Sequence, residues 1–369
     1  MPMIIDAHED LAYNMLTYGR DYRRSAAQIR ALEHDSKDPE KGYSLLGWPE
    51  YQNGQVAVVF NTLFAAPRRF ASPLDNGQVY DDYHQAHALY MGQLDRYHRL
   101  AGENPDMFGL ITNRAELAQV LAPWQSEPAR FPDVTHPVGL VMLMEGADGV
   151  RSPGELELWW EKGLRQIGPA WLGARYCGAT NQPGPFTAEG LELLERMAAL
   201  GFTLDLSHMS MESARQALDR YPGAVIASHA NVRKLVRGEQ GRWAERHLSD
   251  DVIRMLIERG GVIGLVPFNR FLDADWKPAD GKQSVTLENS IAAHIDYICQ
   301  MAGNARHVGF GTDFDGGFGA QSTPAEIDTI ADLQKIAPIL RNRGYTDDDI
   351  DAILGGNWRR HLEEHLPAA

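Results

Sequence analysis

The run Asp6-Ala7-His8-Glu9-Asp10 follows three apolar residues, Met3-Ile4-Ile5. Side chains of a β-strand alternate between its faces, so Asp6, His8 and Asp10 project to one side and converge at the strand's end. A histidine and a carboxylate two residues apart offer nitrogen and oxygen to a borderline divalent cation such as zinc, but two ligands cannot close its coordination shell. Later positions supply partners. Glu145 ends the apolar run Val141-Met142-Leu143-Met144, where its carboxylate must be solvated, paired or metal-bound, because burying it unpaired is very costly. Leu204-Asp205-Leu206-Ser207-His208 and Val225-Ile226-Ala227-Ser228-His229 each read as an apolar strand ending in Ser-His. Asp313 follows Gly309-Phe310-Gly311-Thr312, whose small residues let backbone and substrate approach closely.

Three histidines, Asp10 and Glu145 suit two zinc ions, with Glu145 bridging, His8 and Asp10 on one metal, and His208 and His229 on the other. A water held between the metals would be acidified towards neutral pH and become a nucleophile, while the metals polarise a scissile carbonyl. Asp313 is then the general acid/base that carries a proton from the water to the leaving nitrogen. Asp315 shares its side and reads as a carboxylate that orders the loop, since Asp-Gly pairs favour turns. Asp6 and Asp205 are placed to orient ligand histidines. The Ser-His pairs do not signal a serine hydrolase: neighbouring side chains on a strand point to opposite sides, so Ser207 and Ser228 are expected to face away from their own histidines. No Gly-x-Ser-x-Gly elbow is present.

Short apolar runs at 4–8, 56–62, 138–145, 164–170, 202–208, 224–229, 261–266 and 308–313 read as strands. Helical patterns at 77–100, 153–162, 187–200, 211–221, 249–259 and 287–302 lie between them. Alternation predicts a parallel sheet, and eight strands favour a closed (β/α)8 TIM-type barrel in a single domain over residues 1–369. In such a barrel His8, Glu145, His208, His229 and Asp313 all fall at strand C-terminal ends and open on one face. Residues 108–111 form a ninth strand candidate, treated as an insertion. Irregular segments at 35–49, 66–76, 123–137, 173–185, 232–247 and 268–282 are too long for plain connections, and most are expected to rim a pocket on the C-terminal face.

A formal charge of -15 and a pI near 5.3 exclude a nucleic acid or an anionic membrane surface as partner, which leaves a small molecule. Two cysteines, Cys177 and Cys299, provide neither a disulfide framework nor a thiolate zinc module. The chain opens on a strand without a leader-like apolar region, and no run approaches the length of a membrane span, so a cytoplasmic protein is expected.

The motifs Asp6-x-His8-x-Asp10-Leu11, Glu145-Gly146, Leu206-Ser207-His208, Ser228-His229, Arg246-x-x-x-Asp250-Asp251 and Gly311-x-Asp313-Phe314-Asp315-Gly316 resemble, in order, those of the renal or membrane dipeptidase family. The similarity runs from residue 4 to Gly356-Asn357. It implies an amidohydrolase-type barrel with a binuclear zinc centre that hydrolyses dipeptides, often tolerating a D-residue at the C-terminal position, and a homodimer. It also implies that Asp313 transfers the proton and that Arg246 grips the dipeptide's free carboxylate, a task suited to the guanidinium fork. Nitrogen and oxygen ligands would also accept Mn2+ or Co2+. An amide, lactam or N-acyl amino acid hydrolase on the same barrel is the alternative.

One departure stands out. Where well-known eukaryotic members carry a substrate-contacting histidine in Leu-Thr-His, this chain has Gly168-Pro169-Ala170-Trp171. An indole cannot accept a hydrogen bond, so Trp171 is expected to line the substrate pocket. Oxyanion stabilisation is then expected from Arg175 or Tyr176 in the following loop.

Overall fold

The computed structural model describes residues 1–34, 41–71, 77–173, 175–238 and 241–368. The most continuous aliphatic runs form the longest strands, Val56–Leu63 and Val138–Glu145, and every one of their side chains is buried. Burial on both faces marks a parallel sheet covered by helices. In chain order the barrel strands are β1 (Ile4–Glu9), β2 (Val56–Leu63), β3 (Val138–Glu145), β4 (Leu164–Gly168), β5 (Thr203–Asp205), β6 (Val225–Ile226), β7 (Ile263–Leu265) and β8 (Val308–Phe310). Each pairs in parallel with its sequence neighbour, and β8 pairs with β1. The remaining edges meet at a bridge between Ala227 and Ile263, where Ala227 N donates to Val262 O at 3.0 Å and Gly264 N to Ala227 O at 2.8 Å. The eight-stranded parallel barrel expected from the sequence is the fold.

The strands β5 to β8 are two or three residues long, shorter than the six- or seven-residue runs expected. The chain leaves the ladder early because side chains take over the hydrogen bonds of the strand ends. Asp205 Oδ1 accepts from the backbone amides of Ser207 (3.0 Å) and Ser228 (2.8 Å), and Asp6 Oδ1 from that of Thr312 (2.7 Å). Glycine is required here by crowding: a Cβ at Gly264 or Gly311 would lie 1.9 or 1.7 Å from the Ser228 carbonyl oxygen.

The segment Phe108–Leu110 is the expected ninth strand and stands off the barrel's eight-strand order. It pairs with Val138–Leu140 along the edge that β4 occupies only from Met142 onward, satisfying backbone groups that would otherwise be unpaired. The segment at 123–137 also departs from expectation. Pro123 lies inside the helix Arg114–Ser126, and the rest packs below the start of β2, where Gln55 Nε2 donates to Ala129 O at 2.8 Å and Gln52 Nε2 to His136 O at 3.0 Å. It therefore closes the N-terminal end of the barrel and takes no part in the rim. Of the other irregular segments, residues 35–40, 72–76, 174 and 239–240 lie outside the described residues.

Expected helix starts recur where hydroxyls can cap. Thr187 accepts from Gly190 N before Ala188–Leu200, and Ser210 from Ser213 N before Met211–Arg220. Ser249 precedes Asp250–Glu258 without capping it, its hydroxyl donating instead to Asp251 at 2.6 Å. The C-terminal helix Asn357–His365, which the hydrophobic pattern did not reveal, holds β8: Asn357 Nδ2 donates to Val308 O at 2.8 Å and Trp358 Nε1 to Phe310 O at 2.9 Å. Among the described residues no helix is long and apolar enough to cross a membrane.

Candidate metal centre

Glu145 ends β3, and Gly146, at a φ of 74° that few side chains tolerate, turns the chain away immediately afterwards. The buried carboxylate is thereby left at the centre of the barrel mouth, with its two oxygens facing different partners. Oε1 lies 2.9 Å from His208 Nε2 and 3.3 Å from His229 Nε2, and the two ring nitrogens are 3.1 Å apart. Oε2 lies 3.6 Å from His8 Nε2, which is in turn 3.7 Å from Asp313 Oδ1. The His8 and His229 rings stack with centroids 3.5 Å apart. Ligand atoms of His8, Glu145 and His229 fall within 4.8 Å of one another, as do those of His8, Asp10 and Asp313. All six residues expected to serve the metals or the proton transfer thus come together.

Backbone conformation shows how firmly they are held. His208 and Asp313 adopt left-handed φ values of 65° and 58°, uncommon for non-glycine residues and sustained only where surrounding contacts impose them. Asp313 N donates to His8 O at 3.1 Å, and Asp6 fixes the preceding Thr312 through both its amide and its hydroxyl, at 2.7 and 2.5 Å. Gly316 is pressed against the same group, because a Cβ there would lie 2.2 Å from Asp313 Oδ1 and 3.0 Å from Asp10 Oδ2. Asp10 also accepts from Thr62 Oγ1 at the end of β2.

The orientation of His229 follows from a chain of bonds. Asp205 accepts from the hydroxyls of Ser207 (2.8 Å) and Ser228 (2.5 Å), so the Ser228 proton is committed. Ser228 Oγ lies 2.8 Å from His229 Nδ1 and can only accept, which puts the imidazole proton on Nδ1 and leaves the Nε2 lone pair facing Glu145 and His208. Ser228 consequently does not face away from its histidine: strand alternation ends at Ile226, three residues before the ring. Asp205 orients His229 only through this serine, and Asp6 orients the Asp313 loop without touching a histidine. Strand periodicity gives no hint of either relay, or of Thr62 and Thr180, whose hydroxyl donates to His208 O at 3.3 Å.

Burial sets the electrostatics. It pushes Glu145 up to about 8, with Asp205 adding and Arg246 opposing, and Asp10 up to about 6, helped by Glu145 and opposed by His8. Asp313 is raised well above the carboxylate range by the same cause. His208 and His229 are driven well below their ordinary range by burial and by nearby positive groups, so both are neutral with lone pairs available. Both ring nitrogens of His8, fully buried, lack a hydrogen-bond partner. Such a set fits divalent cations. With metal–ligand bonds of 2.0–2.2 Å, tetrahedral coordination separates ligands by about 3.3–3.6 Å, close to the 2.9, 3.1 and 3.3 Å edges of the Glu145, His208 and His229 triangle.

Arg246 ends the short helix Gly241–Arg246 and is 1 % exposed. Its Nη1 donates to His229 O at 2.7 Å and its guanidinium lies 5.1 Å from the Phe271 ring centre, while Nε and Nη2 have no partner. Trp171 stands beside the centre, partly buried, with its ring 4.7 Å from Phe64 and 6.4 Å from His208. Arg175 and Tyr176 do not reach the reacting position. Arg175 donates to Val150 O and Arg151 O and pairs with Glu189, and Tyr176 OH donates to Val150 O at 2.7 Å.

The family model described as Membrane dipeptidase (Peptidase family M19) matches residues 2–367. Dipeptidase verJ of Clonostachys rogersoniana is 28 % identical over 316 residues, covering 84 % of this chain and 73 % of that protein. The crystal structure of the dipeptidase AC, a metallo peptidase, shares the fold with a TM-score of 0.76 at 21 % identity, covering 100 % of this chain and 99 % of that one. A metallo peptidase from Rhodobacter sphaeroides gives 0.75 at 21 % identity, with 99 % of both chains covered. The chain belongs to the membrane dipeptidase family and is a metal-dependent hydrolase.

Proposed function

We propose that this hydrolase cleaves the peptide bond of dipeptides at a centre of two cations, zinc in the first instance, with Mn2+ or Co2+ as substitutes. The observation that carries this reading is the split carboxylate of Glu145, one oxygen turned to His208 and His229 and the other to His8. His8 and Asp10 would hold one ion, His208 and His229 the other, and Glu145 both. When bound, such a pair acidifies a water and polarises the scissile carbonyl.

The chain's own residues supply the rest. Arg246 has two unspent donors in a buried setting, suited to the free carboxylate of a dipeptide, where charge-assisted hydrogen bonds are strong. Asp313 holds a proton readily, since burial disfavours its charged form, and it can pass that proton to the leaving nitrogen. Ser228 and Asp205 keep His229 in the tautomer that presents Nε2. Trp171 walls the pocket and excludes water. The Rhodobacter sphaeroides relative was crystallised with a phosphinate mimic of the dipeptide L-Ala-D-Ala, which favours testing a D-residue at the C-terminal position here. A cytoplasmic location and a homodimer rest on the sequence reading alone.

The test is a library of L-L and L-D dipeptides, dipeptide amides, tetrapeptides and N-acyl amino acids, assayed with metal content measured on the same sample. Dipeptides are expected to be hydrolysed with two metals per chain, activity vanishing on chelation and returning with metal, while amides and tetrapeptides resist. Turnover of N-acyl amino acids without dipeptides would favour the alternative hydrolase, and full activity with one ion per chain would overturn the paired centre.

A further inference from the structure

β2 is apolar from Val56 to Phe60 and then places Asn61 and Thr62 before its last residue. The hydroxyl of the fully buried Thr62 donates to Asp10 Oδ1. Asp10 stands at the N-terminal end of the helix Leu11–Thr17, yet its carboxylate caps none of that helix's amides. With Oδ1 held by Thr62, Oδ2 is turned towards Asp313: a Cβ on Gly316 would lie 3.0 Å from Asp10 Oδ2 and 2.2 Å from Asp313 Oδ1. Thr62 is held in turn. Tyr97 OH donates to Thr62 O at 2.9 Å and accepts from Ala12 N at 2.9 Å, joining the end of β2 to the helix that Asp10 begins. Tyr97 belongs to the helix Tyr83–Glu103, and Tyr90, about two turns earlier on that helix, donates to Glu145 O at 2.9 Å.

The two cation positions are thus oriented by different means. On one, Ser228 and Asp205 fix the ring of His229. On the other, His8 has no hydrogen-bond partner on either ring nitrogen, so the carboxylate of Asp10 is the ligand whose direction the protein sets there. A donor on one oxygen of a ligating carboxylate aims the other oxygen at the cation, and loss of such a partner costs roughly 10- to 100-fold in metal affinity. We infer that Thr62, steadied by Tyr97, is a positioning residue that sets the affinity of the cation at His8 and Asp10 and leaves the cation at His208 and His229 unaffected. This rests on the paired centre proposed above. Thr62 acts through Asp10 alone, so its removal makes one ion easier to lose while the other stays bound.

The experiment titrates metal-depleted protein with Zn2+ against a chelator of known affinity, counting ions per chain, for the wild type and for Thr62→Val, Thr62→Ser and Tyr97→Phe. Valine keeps the branched shape of threonine and removes the hydroxyl, whereas serine keeps the hydroxyl. The wild type is expected to bind two ions. In Thr62→Val one binding step should weaken by about tenfold to a hundredfold while the other stays within about twofold, and Thr62→Ser should bind as the wild type does. Tyr97→Phe should weaken the same step by a smaller factor. Dipeptide turnover by Thr62→Val should fall at limiting Zn2+ and recover with excess Zn2+. Ser228→Ala, on the other side of the centre, should weaken the complementary step, so that the double variant with Thr62→Val has both steps weakened. Unchanged binding in Thr62→Val, or equal weakening of both steps, overturns the inference. If the valine variant does not fold, Tyr97→Phe decides, and two unmoved steps there overturn it as well. A single ion in the wild type sinks the paired centre, whereas two ions with an indifferent Thr62→Val sink this inference alone.

Discussion

Asp313 and Asp315 are two residues apart, both in left-handed conformation, yet they belong to polar clusters of opposite character. The carboxylate of Asp315 accepts from Tyr22 OH at 2.9 Å, Ser44 Oγ at 2.8 Å and Leu45 N at 2.8 Å, and lies 2.9 Å from Arg20 Nη1. Arg20 in turn donates to Glu33 at 3.0 Å and to Lys41 O at 2.7 Å. This carboxylate is saturated by its own protein. Across the loop, His8 keeps both ring nitrogens unspent and Arg246 keeps two donors, although both residues are almost fully buried. Leaving buried polar atoms unpaired costs about 1–3 kcal/mol each, more when charged. A fold tolerates that cost where something outside the chain completes the set. The contrast separates a cluster that orders the loop from one that awaits metal and substrate, a distinction residue type alone could not make.

Exchanging the two aspartates for neutral residues would break the comparison most sharply. Asp313→Asn should lower kcat/KM for dipeptides by about a thousandfold while the melting temperature and metal content stay close to wild type, since a positioned acid/base contributes roughly 100- to 10,000-fold. A folded Asp313→Asn enzyme retaining a tenth of wild-type activity would remove the residue from proton transfer. Asp315→Ala should act the other way round. It leaves the Arg20 guanidinium buried without its carboxylate, so urea unfolding should show a loss of about 3 kcal/mol or more, with activity falling only as folded protein falls. Unchanged stability would mean the saturated cluster does no structural work.

Much of this was legible in the sequence, for identifiable reasons. The barrel could be read because eight apolar runs alternate with helical patterns, and His8, Glu145, His208, His229 and Asp313 could be read because each ends such a run. What the sequence hid are contacts made after a strand has ended. Ser228 turns back to His229 because the ladder stops at Ile226, and no period-two argument applies beyond that point. Arg175 looked available to stabilise an oxyanion, but Val150, Arg151 and Glu189 occupy its two terminal nitrogens, and those contacts are set by loop packing. Arg246 carried no local signal at all and entered through family resemblance.

The same contrast has a signature in pH, smaller than the mutational effects and confined to the metal-free protein. Glu145 rises from the ordinary 4.5 to about 8 through burial, so between those values the folded chain binds more protons than the unfolded one, and stability must fall as pH rises. Asp10, moved from 3.8 to about 6, acts in the same direction over its lower window. His208 and His229, driven below 6.5, act oppositely, because the unfolded chain takes up their protons and folding gains as pH climbs to about 6.5. Between pH 6.5 and 8 the two histidines add only the last half of their titration, while Glu145 gives up its proton and Asp313 and Glu9, also raised by burial, act in the same direction, so chelator-treated protein should lose on the order of 1 kcal/mol or more over that interval. Urea midpoints at the two pH values measure it. Glu145→Gln should lessen the decline, and so should saturating metal, because a bound cation holds the carboxylate deprotonated in the folded state. A metal-free wild type whose stability is level across that interval would show that the Glu145 carboxylate does not hold its proton when the cations are absent.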